Sequence, residues 1–131
     1  MDFVVEDKIY SVTKRFAILN DNGIEVGHGL LYILSDESHN KPYGYLSDVL
    51  IKEEFRAGGF GGKLVREIIR AAKEDFKCYK LLCTSRDSRG IVDWYKKLGF
   101  RAHSTGFRMD FDLDAAGAVS YTHLRAHETD S

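Results

Sequence analysis

Strand-forming residues crowd the first part of the chain, and helix-spaced apolar residues follow them. Residues 11–19 and 24–34 flank the turn-forming run Asn20-Asp21-Asn22-Gly23, which predicts a β-hairpin. The polar stretch 35–42 reads as a loop. Residues 43–52, with Tyr45, Leu46, Val49, Leu50 and Ile51, read as a third strand, so the sheet begins as an antiparallel meander. Phe60, Leu64, Ile68, Ala72 and Phe76 then recur every fourth residue, one stripe of a helix over about 60–77. Residues 78–84 are apolar without clean alternation, as in a strand covered on both faces. They predict a parallel neighbour of 43–52, reached through the helix as a right-handed crossover. Asp87 or Ser88 is placed to cap a second helix over 89–98, with Ile91, Val92, Tyr95 and Leu98 on one face and Gly99 as its stop. Phe107, Met109 and Phe111 alternate within 100–113 and predict a last strand or hairpin; Phe3, Val4 and Val5 mark a first strand or an arm.

Between the third strand and the first helix lies Arg56-Ala57-Gly58-Gly59-Phe60-Gly61-Gly62-Lys63, with four glycines in five positions. Glycine lets a ligand approach the backbone closely. A helix N-terminus offers unpaired N–H groups and a dipole that favours an anion. Strand, glycine turn and helix together predict a phosphate or diphosphate cradle made of backbone. A Walker A loop would need glycine at Ala57 and Ser or Thr at Leu64, and a dinucleotide fingerprint begun at Gly59 would need glycine at Leu64. Both fail.

The pattern Arg-x-x-Gly-x-Gly fits residues 56–61 without a gap. Downstream stands Trp94-Tyr95-Lys96-Lys97-Leu98-Gly99-Phe100, an aromatic-Tyr pair followed by Leu-Gly-Phe. In these two motifs, in their order and in their spacing, the chain resembles the GNAT N-acetyltransferase superfamily. The resemblance implies an α/β fold of the α+β kind: a mixed sheet with an antiparallel N-terminal meander and a βαβ acyl-CoA unit. Most members place two helices before the hairpin, where they wall the acceptor pocket. This chain enters its hairpin within about ten residues and is expected to lack that cap.

Direct transfer of an acetyl group from acetyl-CoA to a primary amine of a small molecule or peptide is the implied activity. The backbone of Arg56, Ala57, Gly58, Gly59, Phe60, Gly61, Gly62 and Lys63 would then hold the diphosphate. Backbone groups of Val49, Leu50 and Ile51 would meet the thioester and the pantetheine arm, where two parallel strands splay. Tyr95 matches the family's general acid, and a phenol with a pKa of ~10 is protonated at neutral pH. The alternative for Tyr95 is a core tyrosine at helical spacing from Ile91 and Leu98. Val92 stands where many relatives carry Asn against CoA. Asp48, a carboxylate inside an apolar run, is the candidate base or substrate-orienting group. Glu53, Glu54, His28, His39 and a water-mediated base are the alternatives. Lys63, Arg66, Arg70 and Lys73 form a solvated helix face from which some side chains can reach the CoA 3′-phosphate. The stretches 44–49, 78–80 and 106–109 are similar to glucosamine-6-phosphate N-acetyltransferases, although Ser47 stands where those often have a carboxylate. Many members of the superfamily dimerise. A different class of function is a non-catalytic acyl-CoA-binding or regulatory module; a third reading is a truncated frame that makes no stable enzyme.

At 131 residues with a formal net charge of −1, the chain is sized for one domain and gives no global sign of a nucleic-acid partner. No apolar run approaches the ~20 residues of a membrane helix, and no leader-like start is seen. Cys78 and Cys83 are expected as buried, reduced thiols that point to opposite faces, which places the protein in the cytoplasm. No metal site is expected. The domain is assigned to 1–113 and a non-native or disordered tail to 114–131. Within the tail, 119–129 reads like the translation of a transposase-type sequencing adapter. A metal-binding tail built on His123, His127 and Glu128 is the competing reading.

Overall fold

The computed structural model describes residues 1–8, 11–85 and 89–112. Strands β1 (Ser11–Leu19), β2 (Glu25–Leu34), β3 (Tyr43–Ile51) and β4 (Leu81–Cys83) form one mixed sheet in the order β1-β2-β3-β4. The β1–β2 and β2–β3 pairs are antiparallel and β3–β4 is parallel, so the meander and the βαβ unit both stand as expected. Helix α1 (Phe60–Arg70) runs into a π-helical turn, Ala71–Asp75, and supplies the crossover between β3 and β4. Helix α2 (Arg89–Lys97) follows β4.

Backbone bonds between Asn20 and Ile24 and between Gly23 and Asn20 close the hairpin turn, and one side chain reinforces it. Asn20 Oδ1 accepts from the Asn22 and Ile24 N–H groups, each at 3.0 Å, and Gly23 takes the left-handed conformation at φ +77°. This is the Asn/Gly turn chemistry that the sequence advertises. The core joins Leu31 and Ile33 of β2, Leu46, Val49 and Ile51 of β3, Leu64, Val65, Ile68 and Ala72 on or beyond α1, and Ile91, Trp94 and Tyr95 of α2. Fully buried side chains such as Leu31 and Ile68 contribute about 1.5–3 kcal/mol each by leaving water.

A bulge in β3 sets the later geometry. Leu46 faces Leu31 and Ser47 faces Leu30, but Leu50 faces His28, so Asp48 and Val49 together oppose Gly29. Asp48 absorbs the extra residue with φ +53°. The buried positions consequently switch phase, from Gly44 and Leu46 to Val49 and Ile51, and the core face stays continuous across the bulge.

Three expectations are corrected. The 78–84 strand shortens to Leu81–Cys83 and is half-buried; among the described residues it lies at the sheet edge with a strand partner on one side only. Cys78 and Cys83 are half-buried free thiols. No last strand forms in 101–112: Phe107 (94%), Met109 (77%) and Phe111 (92%) are exposed, since alternation supplies a face but not the hydrogen-bonding partner a strand needs. Of the two readings for the start of the chain, residues 1–8 follow the arm: they form no strand and their apolar side chains are exposed. The expected helix caps Asp87 and Ser88 and the tail from residue 113 lie outside the described residues.

Candidate active site

The site gathers where β3 ends. Pairing of β3 with β4 covers only Gly44↔Leu81, Tyr45↔Leu82 and Leu46↔Cys83, so beyond Leu46 the β3 backbone has no β4 ladder. The Lys52 N–H donates to the Val26 carbonyl at 2.8 Å, which puts Lys52 in hydrogen-bonded register with β2. In an antiparallel ladder the neighbouring residue then points its N–H and C=O the other way. Ile51, and by the same alternation Val49, therefore turn their polar groups toward the side on which β4 has diverged, while those of Leu50 face β2. The Ile51 carbonyl is met by Arg56 Nε, which donates to it at 3.0 Å.

A short 3₁₀ turn, Glu53–Phe55, leads from β3 into the glycine loop. Ala57 (φ +69°) and Gly59 (φ +77°) both adopt left-handed backbone, and Gly59 is the residue from which α1 starts. The reversal leaves the first-turn amides of α1 without intrahelical partners, although Gly61 itself is buried: Lys63 N–H returns to the Gly59 carbonyl at 3.3 Å, whereas the N–H groups of Phe60, Gly61 and Gly62 precede the first intrahelical bond. No side chain caps this end and no acidic residue sits in its first turn. Arg66 folds back over it, with Nη1 3.1 Å from where a Gly62 Cβ would lie. Phe60 meets Phe55 edge-on at 6.3 Å, and the Lys63 ammonium stands 6.0 Å over the Phe60 ring. Amides without intrahelical partners, two cations beside them and no acidic residue in the first helical turn suit an anionic ligand such as a diphosphate.

Of the other helix cations, Arg70 is occupied, bonding Glu67, Glu74 and Asp75, and belongs to a solvated ion-pair cluster. Lys73 is exposed.

Tyr95 is both a core residue and a cavity wall. It is 6% exposed and packs edge-on against Trp94 (4.9 Å) and Phe100 (5.5 Å). With Leu81–Cys83, Thr84, Ser85 and residues 100–106 it lines a cavity of about 560 Å³. Burial, and then the nearby Cys83 and Tyr45, push its phenol well above the ordinary tyrosine range, so it stays protonated. The same burial pushes the Cys83 thiol up to about 11. Because Cys83 is the last β4 residue paired with β3, Tyr95 approaches the point where the two strands part. Asp48 stands in the bulge two residues beyond that pair, half-buried. Among the described residues that line the Tyr95 cavity none comes from β3 or the glycine loop, so Asp48 lies outside it. Glu53, Glu54 and His39 are exposed and His28 half-buried. His39 and Asp36 pack with Tyr79 at the other end of β3. No group of three metal-ligating side chains occurs among the described residues.

Sequence reasoning named the loop but missed three features. The bulge had a signal: two polar residues, Ser47-Asp48, interrupt the apolar alternation between Leu46 and Val49. Neither the Arg56 side-chain bond nor the placing of Cys83 in the Tyr95 cavity had one.

The model of the acetyltransferase (GNAT) family matches residues 4–100. Glucosamine 6-phosphate N-acetyltransferase of Trypanosoma brucei brucei is 33% identical over 67 residues, 51% of this chain and 44% of that protein. Thialysine N-epsilon-acetyltransferase of Sus scrofa is 32% identical over 77 residues, 58% of this chain and 44% of that protein. The chain thus spans less than half the length of these relatives. Among solved structures, a Trypanosoma brucei acetyltransferase superposes with a TM-score of 0.64 at 30% identity, covering 77% of this chain and 69% of that one. Arabidopsis thaliana glucosamine-6-phosphate N-acetyltransferase shares the fold, with a TM-score of 0.66 at 24% identity over 76% of this chain and 67% of that one. The chain belongs to the GNAT acetyltransferase family.

Proposed function

We propose that this domain transfers an acetyl group from acetyl-CoA to a primary amine of a small molecule or peptide. One observation carries the reading: the β3–β4 ladder stops at Leu46↔Cys83, and the unpaired end of β3 leads through a short turn into a loop that starts α1 with uncapped amides. The open strand edge can pair with an extended amide-bearing arm, and the helix start can hold the diphosphate at its end. Family membership and the activities named for the two curated relatives support the same reaction class.

Acetyl-CoA supplies the activated thioester. In the proposal the amides of Phe60, Gly61 and Gly62 hold the diphosphate, with Arg66 beside them. The N–H of Ile51 or Val49 polarises the thioester carbonyl in the cleft. Asp48 orients the amine and receives its proton as nitrogen bonds to the carbonyl carbon and the C–S bond breaks. Tyr95 faces the departing sulfur. With its pKa above ~10, full proton transfer to a thiolate whose acid has a pKa of ~8.5 is uphill, by about 2 kcal/mol or more. Tyr95 therefore stabilises the thiolate as a hydrogen-bond donor and the released thiol takes its proton from solvent.

The proposed setting is the cytoplasm, a reading that rests on two free thiols; no helix among the described residues is long and apolar enough to cross a membrane. The test is calorimetric titration with acetyl-CoA, followed by thiol release with a panel of amines. Saturable heat and amine-dependent thiol release are expected. A folded protein that gives no heat with acetyl-CoA refutes the proposal, and binding without turnover by any amine favours the non-catalytic module.

A further inference from the structure

We infer that Arg56 is a positioning residue that acts through its Nε atom and not through its charge. By holding the Ile51 carbonyl it locks the turn that delivers the loop amides and the end of β3 to one ligand. The inference rests on the acetyl-CoA reading for its ligand, and on geometry alone for the lock.

Ile51 is 1% exposed, so core packing fixes its side chain. Its carbonyl points away from β2, on the side where β4 no longer pairs, and a carbonyl there needs a donor. Arg56 Nε supplies it at 3.0 Å in a part-buried setting. The bond spans a tight turn already closed by Phe55 N–H to the Lys52 carbonyl (2.9 Å) and Arg56 N–H to the Glu53 carbonyl (3.3 Å). Ala57, directly after Arg56, is left-handed, as is Gly59 two residues further on. Left-handed backbone at an alanine is held only where its surroundings over-determine it. The Arg56 bond ties the residue before the strained Ala57 to the most firmly buried end of β3. It also leaves the Ile51 N–H as the free polar group of that peptide edge for the cleft.

Side-chain topology gives the test its edge. Glutamine carries its amide nitrogen at the same number of bonds from Cα as arginine carries Nε. Lysine has a methylene at that place and its ammonium one bond further out; methionine has a methyl there. A lock through Nε predicts that glutamine substitutes for Arg56 and lysine does not. A phosphate contact by charge predicts the reverse.

The experiment uses the full chain and its Arg56→Gln, Arg56→Lys and Arg56→Met variants. Acetyl-CoA affinity is measured by calorimetry, and amide hydrogen exchange over residues 56–62 is followed without ligand. Arg56→Gln is expected within about twofold of the unsubstituted protein, whereas Arg56→Lys and Arg56→Met weaken acetyl-CoA about tenfold and speed loop exchange by a similar factor. Exchange at Val65 and Ile68 stays unchanged in all three, which separates a local lock from general destabilisation. Retained affinity in Arg56→Lys with loss in Arg56→Gln overturns the inference, as does equal behaviour of the three variants. If the unsubstituted protein binds no acetyl-CoA, the acetyltransferase reading fails, and the exchange pattern alone still decides the role of Arg56.

Discussion

Gly27 faces Ile51 across β2 and β3, one residue from the bulge register, and an alanine there tests how tightly the end of β3 is held. An added Cβ would overlap Ile51 Cδ1 and lie 2.7 Å from the Leu50 carbonyl oxygen. Ile51 Cδ1 is the end of a side chain, but Ile51 is 1% exposed and has little room to turn. The Leu50 oxygen is backbone and must move with the strand. Ordinary contact there is about 3.4 Å, so β3 has to retreat by several tenths of an ångström. That strains the bond from Lys52 N–H to the Val26 carbonyl, 2.8 Å long, and its ladder neighbour. Weakening one or two ladder bonds costs about 0.5–1.5 kcal/mol each, and overpacking at Ile51 costs about 1–3 kcal/mol. Replacing glycine within a strand returns about 0.5–1 kcal/mol. The net expectation for Gly27→Ala is about 2–3 kcal/mol of lost stability, near 10 °C in Tm for a domain of this size. Urea unfolding measures it, with Gly90→Ala as control: a Cβ at Gly90, in α2, meets nothing within 4 Å and should stabilise by up to about 1 kcal/mol. Because β3 carries the cleft, acetyl-CoA affinity should fall in Gly27→Ala as well. A Gly27→Ala protein within about 0.5 kcal/mol of the parent, a margin typical of neutral surface changes, would refute the close-packed strand end.

Tyr95→Phe removes a hydrogen-bond donor and little volume. Turnover should drop about 10–100-fold with acetyl-CoA affinity nearly unchanged, and steady-state kinetics with the best amine would show it; equal turnover would remove Tyr95 from the chemistry. The raised Tyr95 pKa also makes a pH statement. The native state keeps a proton that the unfolded chain releases above pH ~10, so this stability is complete below that pH and is lost as pH rises toward the folded value. Cys83 adds a similar loss from its ordinary 9.0 up to about 11. Melting temperatures should therefore fall above pH ~9 and less steeply in Tyr95→Phe; identical slopes would contradict a buried, protonated phenol. Asn20→Ala strips two acceptor contacts from the hairpin turn and should cost about 1 kcal/mol in chemical unfolding, with no change in acetyl-CoA binding; a neutral result would show the turn held by its backbone bonds and Gly23 without the side chain.

The elements were legible in the order of residues because each rests on a local cause. Asn20 to Gly23 turns the chain by its own side-chain and backbone chemistry, and the four-residue stripe from Phe60 suits one face of a helix whatever it packs against. The glycine loop was legible too, since left-handed backbone at a helix start is a property of a few adjacent residues. Where a partner was required, the pattern alone fell short. Phe107, Met109 and Phe111 alternate as a strand does, yet pair with no strand among the described residues, and β4 kept only three residues of the run that predicted it. Ladder hydrogen bonds join residues distant in sequence, so strand extent is a collective property of the sheet.

What the chain by itself determined is therefore the inventory: hairpin, third strand, anion-ready loop, amphipathic helices and the residues named for chemistry. What only the tertiary structure decided is how these meet. Register across β2 and β3 created the bulge at Asp48, the early end of the β3–β4 ladder opened the cleft, and packing carried Tyr95 beside Cys83. Each of these compares atoms from segments tens of residues apart, and that comparison exists only once the hydrophobic core has brought them together.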